Sequence, residues 1–271
     1  MLQLTIARGE RPTWQSAAGC QPGPTRIPLR LAILNLVHPK PHWPSTTEAV
    51  DDYLKAILEL SGPEDRRVTS NALAAHLNVR AASVTGMLQK LAGQRPSFVK
   101  YEKRHGVRLT GIGKRRALEI LRHHRLLERF LHEVLEFSWD EVHDEAERLE
   151  HYISERLEDR IAAKLGDPDV DPHGHAIPEK DGAIAVREEV ALSKWPCGLP
   201  GVISSVSDRD PTALREMLRL GLTPGTGLLV DPGARHASLL VRIGGKPPSR
   251  LSYELAAGIL VVRGSVAASA H

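Results

Sequence analysis

Residues 69–109 read TSNALAAHLNVRAASVTGMLQKLAGQRPSFVKYEKRHGVRL. Thr69–Leu77 has Leu73, Ala74 and Leu77 at helical spacing, and Asn78 is a natural stop. Ala81–Leu91 repeats the pattern with Val84, Met87, Leu88 and Leu91. Two short helices joined by a tight turn form a helix-turn-helix unit. Phe98–Glu102 and Val107–Leu109 then read as strands about Arg104-His105-Gly106, a basic hairpin in the position of a wing. In such a unit the N-terminal residues of the second helix meet base edges in the major groove. Here they include Arg80, Ala82, Ser83 and Thr85. All but Arg80 are small, so the backbone can come close, and Arg80 suits a guanine edge or a phosphate. Gln89 and Lys90, with Lys100, Lys103, Arg104, His105 and Arg108 of the wing, suit salt-sensitive backbone contact. The expected partner is double-stranded DNA.

Working outward, Ser45 and Glu48 have the spacing of a capping box, opening a helix that runs through Leu60. Val50, Tyr53, Leu54, Ile57, Leu58 and Leu60 are apolar at helical spacing, and Gly62-Pro63 ends it. Residues 1–44 hold seven prolines and no sustained periodicity. They read as mostly disordered or as an over-extended start of the reading frame, with Val37 as the alternative start. Downstream, Gly111–Leu135 is a long amphipathic helix, and Trp139–Leu165 holds one or two more. Residues 166–185, rich in Asp, Pro, Gly and His, read as a linker. Beyond it come β-type segments at Gly201–Val206, Gly227–Val230, Ser238–Ile243 and Gly258–Val262, with one helix at Thr212–Leu220. The expected fold is multidomain, mainly α with β. A winged helix-turn-helix occupies 45–110, a helical domain with its linker 111–185, and a small β-barrel 186–271.

The 271 residues carry a net charge of only +3, which averages unlike segments. Residues 45–125 hold 15 basic and 8 acidic side chains, whereas residues 126–190 hold 7 and 19. A basic DNA-facing part therefore adjoins an acidic part suited to cations. Two cysteines, Cys20 and Cys197, exclude a disulfide framework or a thiolate cluster and suit a reducing, cytoplasmic setting. No apolar run approaches the roughly 18 residues of a membrane helix, so no membrane partner is expected.

The acidic part contains Val142-His143-Asp144-Glu145-Ala146-Glu147-Arg148-Leu149-Glu150-His151. His143, Glu147, Glu150 and His151 stand at i, i+4, i+7 and i+8, one face of a helix. Buried together, they need a cation. His124 and Glu128 make another i, i+4 pair upstream, and Asp52 sits on the first helix. Oxygen and imidazole donors without thiolate favour manganese(II) or iron(II). The rival reading is a carboxylate-bridged metalloenzyme. The di-iron bundles of that class need Glu-x-x-His on two helices. Here the spacing occurs only at Glu102–His105, in the wing.

Over residues 45–262 the chain resembles the DtxR/MntR family of metal-responsive bacterial repressors. The resemblance rests on Thr46–Glu48 through Tyr53–Leu60, on His124-Arg125-Leu126-Leu127-Glu128, and on Val142–His151. It implies a homodimer that binds palindromic operators when metal-loaded, a helical dimerisation domain and a C-terminal FeoA-like barrel. It implies a non-enzymatic regulator of metal homeostasis genes, with no small-molecule substrate. Asp52, Glu147, Glu150 and His151 match the primary ligands, with His124 on the same or an adjacent ion. Glu128 and His143 match ancillary ligands of longer members, in which the barrel also donates one; Asp210 is the nearest candidate. Iron-responsive members place Met where Asp52 stands and Cys where Glu147 stands. Manganese-responsive members carry Asp and Glu, so the resemblance implies manganese(II) ahead of iron(II). One departure is Lys55, where short manganese regulators have a Glu. An ammonium cannot ligate and repels a second cation.

The expected mechanism is metal-gated DNA binding. Without metal, clustered carboxylates repel and the reading heads sample many spacings. With metal bridging Asp52 to the dimerisation domain, the heads match half-sites about one helical turn or a multiple apart.

Overall fold

The computed structural model describes residues 46–235 and 238–264. The first helix, α1 (Glu48–Ser61), turns Val50, Tyr53, Leu54 and Ile57 inward, the i, i+3, i+4, i+7 stripe expected of an amphipathic helix. Its N-cap is Thr47, which makes no side-chain capping bond. The anticipated capping box fails here on the cap position, and Ser45 lies outside the described residues, as do residues 1–44 and Val37. Gly62, at φ +62°, ends the helix.

Helices α2 (Ser70–His76) and α3 (Ala81–Gly93) form the helix-turn-helix. Thr69 caps α2 by accepting a hydrogen bond from Ala72 N. Asn78 takes φ +52° in the turn, a conformation asparagine tolerates better than most residues. The wing is the hairpin β1 (Val99–Glu102) and β2 (Gly106–Leu109), paired Val99↔Leu109 through Glu102↔Gly106. Val68 adds a bridge to Val107. These elements and α1 share one core, in which Leu54, Ile57, Leu73, Val84, Leu88, Leu91 and Phe98 are fully enclosed.

Helix α4 (Gly111–Leu135) leaves this core and runs ~37 Å at 1.5 Å per residue. It packs against α5 (Val142–Leu149) and α6 (Glu155–Leu165) around Leu126, Leu127, Leu131, Val142, Ala146 and Ile161. Glu158 of α6 is buried and takes hydrogen bonds from Arg122 Nε (2.5 Å) and His123 Nε2 (3.2 Å). Burial alone would raise this carboxyl. The hydrogen bonds and charges of His123 and Arg122 outweigh that and pull it down to about 2. A depressed carboxylate stabilises the fold above its unfolded value, near 4.5, and loses that contribution as pH falls towards 2. Glu158→Gln is therefore expected to cost about 2–3 kcal/mol at pH 7. It should also flatten the fall in stability between pH 4.5 and 2, read by urea unfolding across that range.

The segment from 166 to 185 is not a bare linker. Ile177 is buried in the helical core, Val170 bridges Ala176, and Asp171 and His173 are enclosed. Its polar composition hides this, because the polar groups are satisfied by the loop itself. Asp171 Oδ1 accepts from the backbone N–H of His173 (2.8 Å) and of His175 (3.0 Å).

The C-terminal part holds β3 (Val190–Ala191), β4 (Pro200–Val206), α7 (Pro211–Leu220), β5 (Gly227–Arg235), β6 (Ser238–Ile243), β7 (Ser249–Ser252), α8 (Tyr253–Ala257) and β8 (Ile259–Arg263). The six strands pair antiparallel in the order β3-β8-β4-β5-β6-β7. The barrel thus takes the form of an open sheet curled into a half-barrel, with β3 and β7 at its edges. Trp139, from the loop after α4, inserts into the core under this sheet and donates Nε1–H to the Pro172 carbonyl (3.0 Å). The helical and β parts are thereby packed as one.

Candidate metal centre

Two linked clusters of carboxylates and imidazoles lie where the three cores meet. The inner one draws on three parts of the chain. His124 and Glu128 come from α4, one helical turn apart, and His143 from the first turn of α5. Asp208 comes from the loop after β4. Ligand atoms of these four lie within 4.8 Å of one another. Glu128 Oε1 is 3.0 Å from His124 Nε2 and 3.2 Å from His143 Nδ1, and Asp208 Oδ2 is 3.5 Å from His143 Nδ1. The 171–175 loop adds a flanking trio, Asp171, His173 and His175. His173 Nδ1 lies 3.8 Å from Glu128 Oε1, and His175 Nδ1 lies 3.7 Å from Asp208 Oδ2.

Asp208 replaces Asp210 as the carboxylate the β part delivers. Asp210 is the N-cap of α7 and accepts from Thr212 N at 2.8 Å. Pro211 follows at the first helical position, so the Asp-Pro pair carried that signal in the sequence. Asp208, His173, His175 and Asp171 were missed because they sit on aperiodic loops that only the tertiary fold brings together.

The outer cluster is Asp52, Glu150 and His151. His151 Nε2 is 3.1 Å from Asp52 Oδ1 and 3.5 Å from Glu150 Oε1. Two sequence expectations change here. Helix α5 ends at Leu149, so Glu150 and His151 lie in the turn beyond it. Glu150 keeps helical angles (φ −56°, ψ −28°), which still brings it onto the face of Glu147. In addition, Glu147 does not close a single set with Asp52, Glu150 and His151. It groups with His124 and Glu150 and is paired to Lys55 at 2.6 Å. His124 Nδ1 reaches Glu150 Oε2 at 2.6 Å, so one imidazole joins the two clusters.

The electrostatics are those of a self-neutralised site. Burial opposes charge on His124, yet the Glu128 carboxylate and the bonds to Glu128 and Glu150 raise it to about 9. Against the same burial, Asp208 and Glu128 raise His143 to about 11. Asp51, Asp52 and Glu150 raise His151 to about 10. Imidazole and ammonium groups stand among the carboxylates at hydrogen-bond distance, which offsets the mutual repulsion expected from the sequence.

Several buried polar atoms remain without a hydrogen-bond partner: Glu128 Oε2, His173 Nδ1 and His151 Nδ1. His173 Nε2–H donates to the Trp139 carbonyl (2.9 Å), which directs its Nδ1 towards Glu128. Unpartnered oxygen and nitrogen atoms on clustered, buried carboxylate and imidazole groups suit cation binding. The donor set therefore fits a divalent ion bound by oxygen and nitrogen. A cleft of about 740 Å³, lined among others by Asp52, His143, Glu147 and Asp208, opens both clusters to solvent.

The reading face is free. Arg80, Ala82, Ser83, Gln89 and Lys90 on or beside α3 are exposed, Thr85 is half-exposed, and Lys103 and Arg104 project from the wing turn. The residue after Asp208, Arg209, reaches Glu59 Oε2 of α1 (2.7 Å) and His76 of α2 (2.9 Å). The strand loop that supplies Asp208 thus also touches the helix-turn-helix.

With this geometry in hand, three family descriptions match successive parts of the chain. They are the N-terminal DNA binding domain of the iron dependent repressors at residues 45–107, their metal binding and dimerisation domain at 110–179, and the FeoA domain at 190–263. HTH-type transcriptional regulator MntR of Oceanobacillus iheyensis is 35% identical over 115 residues, which are 42% of this chain and 76% of the relative. The chain belongs to the DtxR/MntR family of metal-dependent repressors. The iron-dependent repressor IdeR of Mycobacterium leprae is 27% identical over 228 residues, 79% of this chain and 96% of that protein. A manganese-dependent transcriptional repressor solved in complex with manganese superposes with a TM-score of 0.73 at 37% identity, over 79% of this chain and 99% of that one. Family members thus include both iron- and manganese-dependent repressors. Among the described residues, no helix is long and apolar enough to cross a membrane.

Proposed function

We propose that this protein is a manganese(II)-dependent, homodimeric transcriptional regulator that represses metal homeostasis genes by binding operator DNA. In this reading it is cytoplasmic, is not an enzyme and has no small-molecule substrate. Residues 45–110 read DNA, 111–185 hold metal and dimerise, and 186–271 cover the metal site. The observation that carries it is the convergence of His124, Glu128, His143 and Asp208 from separate parts of the chain, beside unpartnered polar atoms on Glu128 and His173. Iron(II) is the second candidate, supported by the iron-dependent relatives and compatible with the same donors.

The metal ligands in this reading are His124, Glu128, His143 and Asp208 for the inner cluster, with His173 beside it, and Asp52, Glu150 and His151 for the outer one. Glu147, grouped with His124 and Glu150, is a ligand where the two meet. These carboxylates and imidazoles would hold a divalent cation, which when bound would supply the positive charge between them. The residues do the rest. Asp52 belongs to α1, which shares a core with the reading helix α3, so α3 follows Asp52 as a rigid body. Glu150 and His151 belong to the helical part. Fixing one to the other fixes the reading heads of a dimer relative to each other, at a separation that matches or misses two half-sites. Leu149, Tyr152 and Leu157 leave apolar area exposed on and between α5 and α6, which supports a symmetric partner. Arg80 and the small residues after it then address base edges, while Lys90, Lys103 and Arg104 neutralise phosphates.

Asp52→Ala tests this reading. The variant is expected to remain a dimer by sedimentation and to lose roughly tenfold or more of the manganese-induced gain in DNA affinity, within the usual range of such coupling. A variant that keeps the full manganese response would sink the bridging role of α1.

A further inference from the structure

Lys55 lies one turn beyond Asp52 on α1 and is buried. Its Nζ donates to Glu147 Oε1 at 2.6 Å and to Glu150 Oε1 and Oε2 at 2.7 and 2.9 Å. An ammonium has three N–H donors and no acceptor, so all three are committed to these carboxylates. Glu150 is fully enclosed, and its other close partner is His124 Nδ1. The group standing among Glu147, Glu150 and His124 is thus a cation that belongs to the chain. It explains why Glu147 faces Lys55 instead of Asp52.

We propose that Lys55 is a tethered competitor for the metal, holding Glu147 and Glu150 in the metal-free protein and setting the concentration at which manganese takes them over. The inference rests on the metal-dependent reading above and refines it. A monovalent charge in this position does two things. It holds the Glu147 and Glu150 carboxylates at the end of α5 before any ion arrives. It also occupies lone pairs that a divalent ion needs, so binding becomes an exchange of one cation for another. The anchor is covalent, so its effective concentration at the carboxylates is fixed and high. A more weakly held or more dilute ion does not displace it. Removing the ammonium while keeping its stem leaves Glu147 and Glu150 without their counter-charge and open to the ion.

The test uses the full chain. Lys55→Met keeps the length and apolar character of the stem, and Lys55→Gln keeps an N–H donor group without the charge. Manganese affinity is measured for wild type and both variants by competition with a fluorescent chelator, alongside thermal unfolding of the metal-free proteins. The expected result is a tenfold to hundredfold gain in manganese affinity in at least one folded variant. A lower unfolding temperature without metal and a larger upward shift on adding manganese should accompany it. Folded variants whose manganese affinity equals or falls below wild type would overturn the role of Lys55 and leave the metal-dependent reading standing. A wild-type chain that binds no manganese or iron(II) would overturn that reading itself. Should Lys55→Met fail to fold, Lys55→Gln decides by the same affinity criterion.

Discussion

Glu128→Gln is expected to lower manganese affinity by about 100-fold or more and to abolish the metal response of DNA binding at ion concentrations that saturate the wild type. Glu128 is fully buried, 3.0 Å from His124 and 3.2 Å from His143, with its second oxygen unpartnered. Burial would raise its carboxyl. The His124 charge and hydrogen bonds from His124 and His143 hold it well below the usual carboxylate range instead. Glutamine has the same shape but no charge, so two charge-assisted bonds become neutral ones. That should cost about 3 kcal/mol of metal-free stability. Manganese titration and urea unfolding read the two effects separately. Unchanged affinity in a folded Glu128→Gln protein would remove the inner cluster from the metal account.

Gly174→Ala is the second large expected effect, and it acts through the backbone. Gly174 lies between His173 and His175 at φ +91°, a region that L side chains rarely adopt. A Cβ there would meet the Ser204 carbonyl oxygen at 2.1 Å and Ser205 Cα at 3.0 Å. Both are main-chain atoms of β4 and have no flexible way out. The loop is pinned at this point, since Val206 N–H donates to the His173 carbonyl at 2.9 Å. Alanine must therefore push the loop off β4, which withdraws His173 from Glu128 and His175 from Asp208. A loss of about 2–4 kcal/mol in stability is expected. A fall in metal affinity comparable to that of Glu128→Gln should accompany it. Thermal unfolding and manganese titration of the variant check both. A variant as stable and as metal-avid as wild type would show that the close approach of loop and strand is not required.

The reading domain was legible in sequence because its signals are local. Periodicity placed α2 and α3, Asn78 marked the turn, and basic residues about Gly106 marked the wing. The bounds of α4, Gly111–Leu135, also follow from periodicity alone. The ligand helix was legible for the same reason: the stripe His143, Glu147, Glu150 needs only a helical repeat. What the sequence hid is tertiary. Asp208 and the Asp171–His175 loop carry no period, and they reach Glu128 only because Trp139 and β4 fold the half-barrel against α4 and α5. The polar 166–185 segment looked like a linker because its composition resembles one, although Asp171, His173 and Ile177 within it are buried. Lys55 was legible as a residue that cannot ligate. That it stands inside the carboxylate cluster follows from the approach of α1 to the end of α5, which no local pattern encodes.

The central claim is that metal occupancy of the two clusters controls DNA binding. The most direct test selects duplexes bound by the full-length protein from a random-sequence pool in manganese. The affinity for the selected duplex is then measured across a manganese titration and again after chelation. The account predicts a two-fold symmetric selected site, affinity that rises at least tenfold with manganese, and a return to the metal-free value in chelator. Binding of equal strength with and without metal would contradict it.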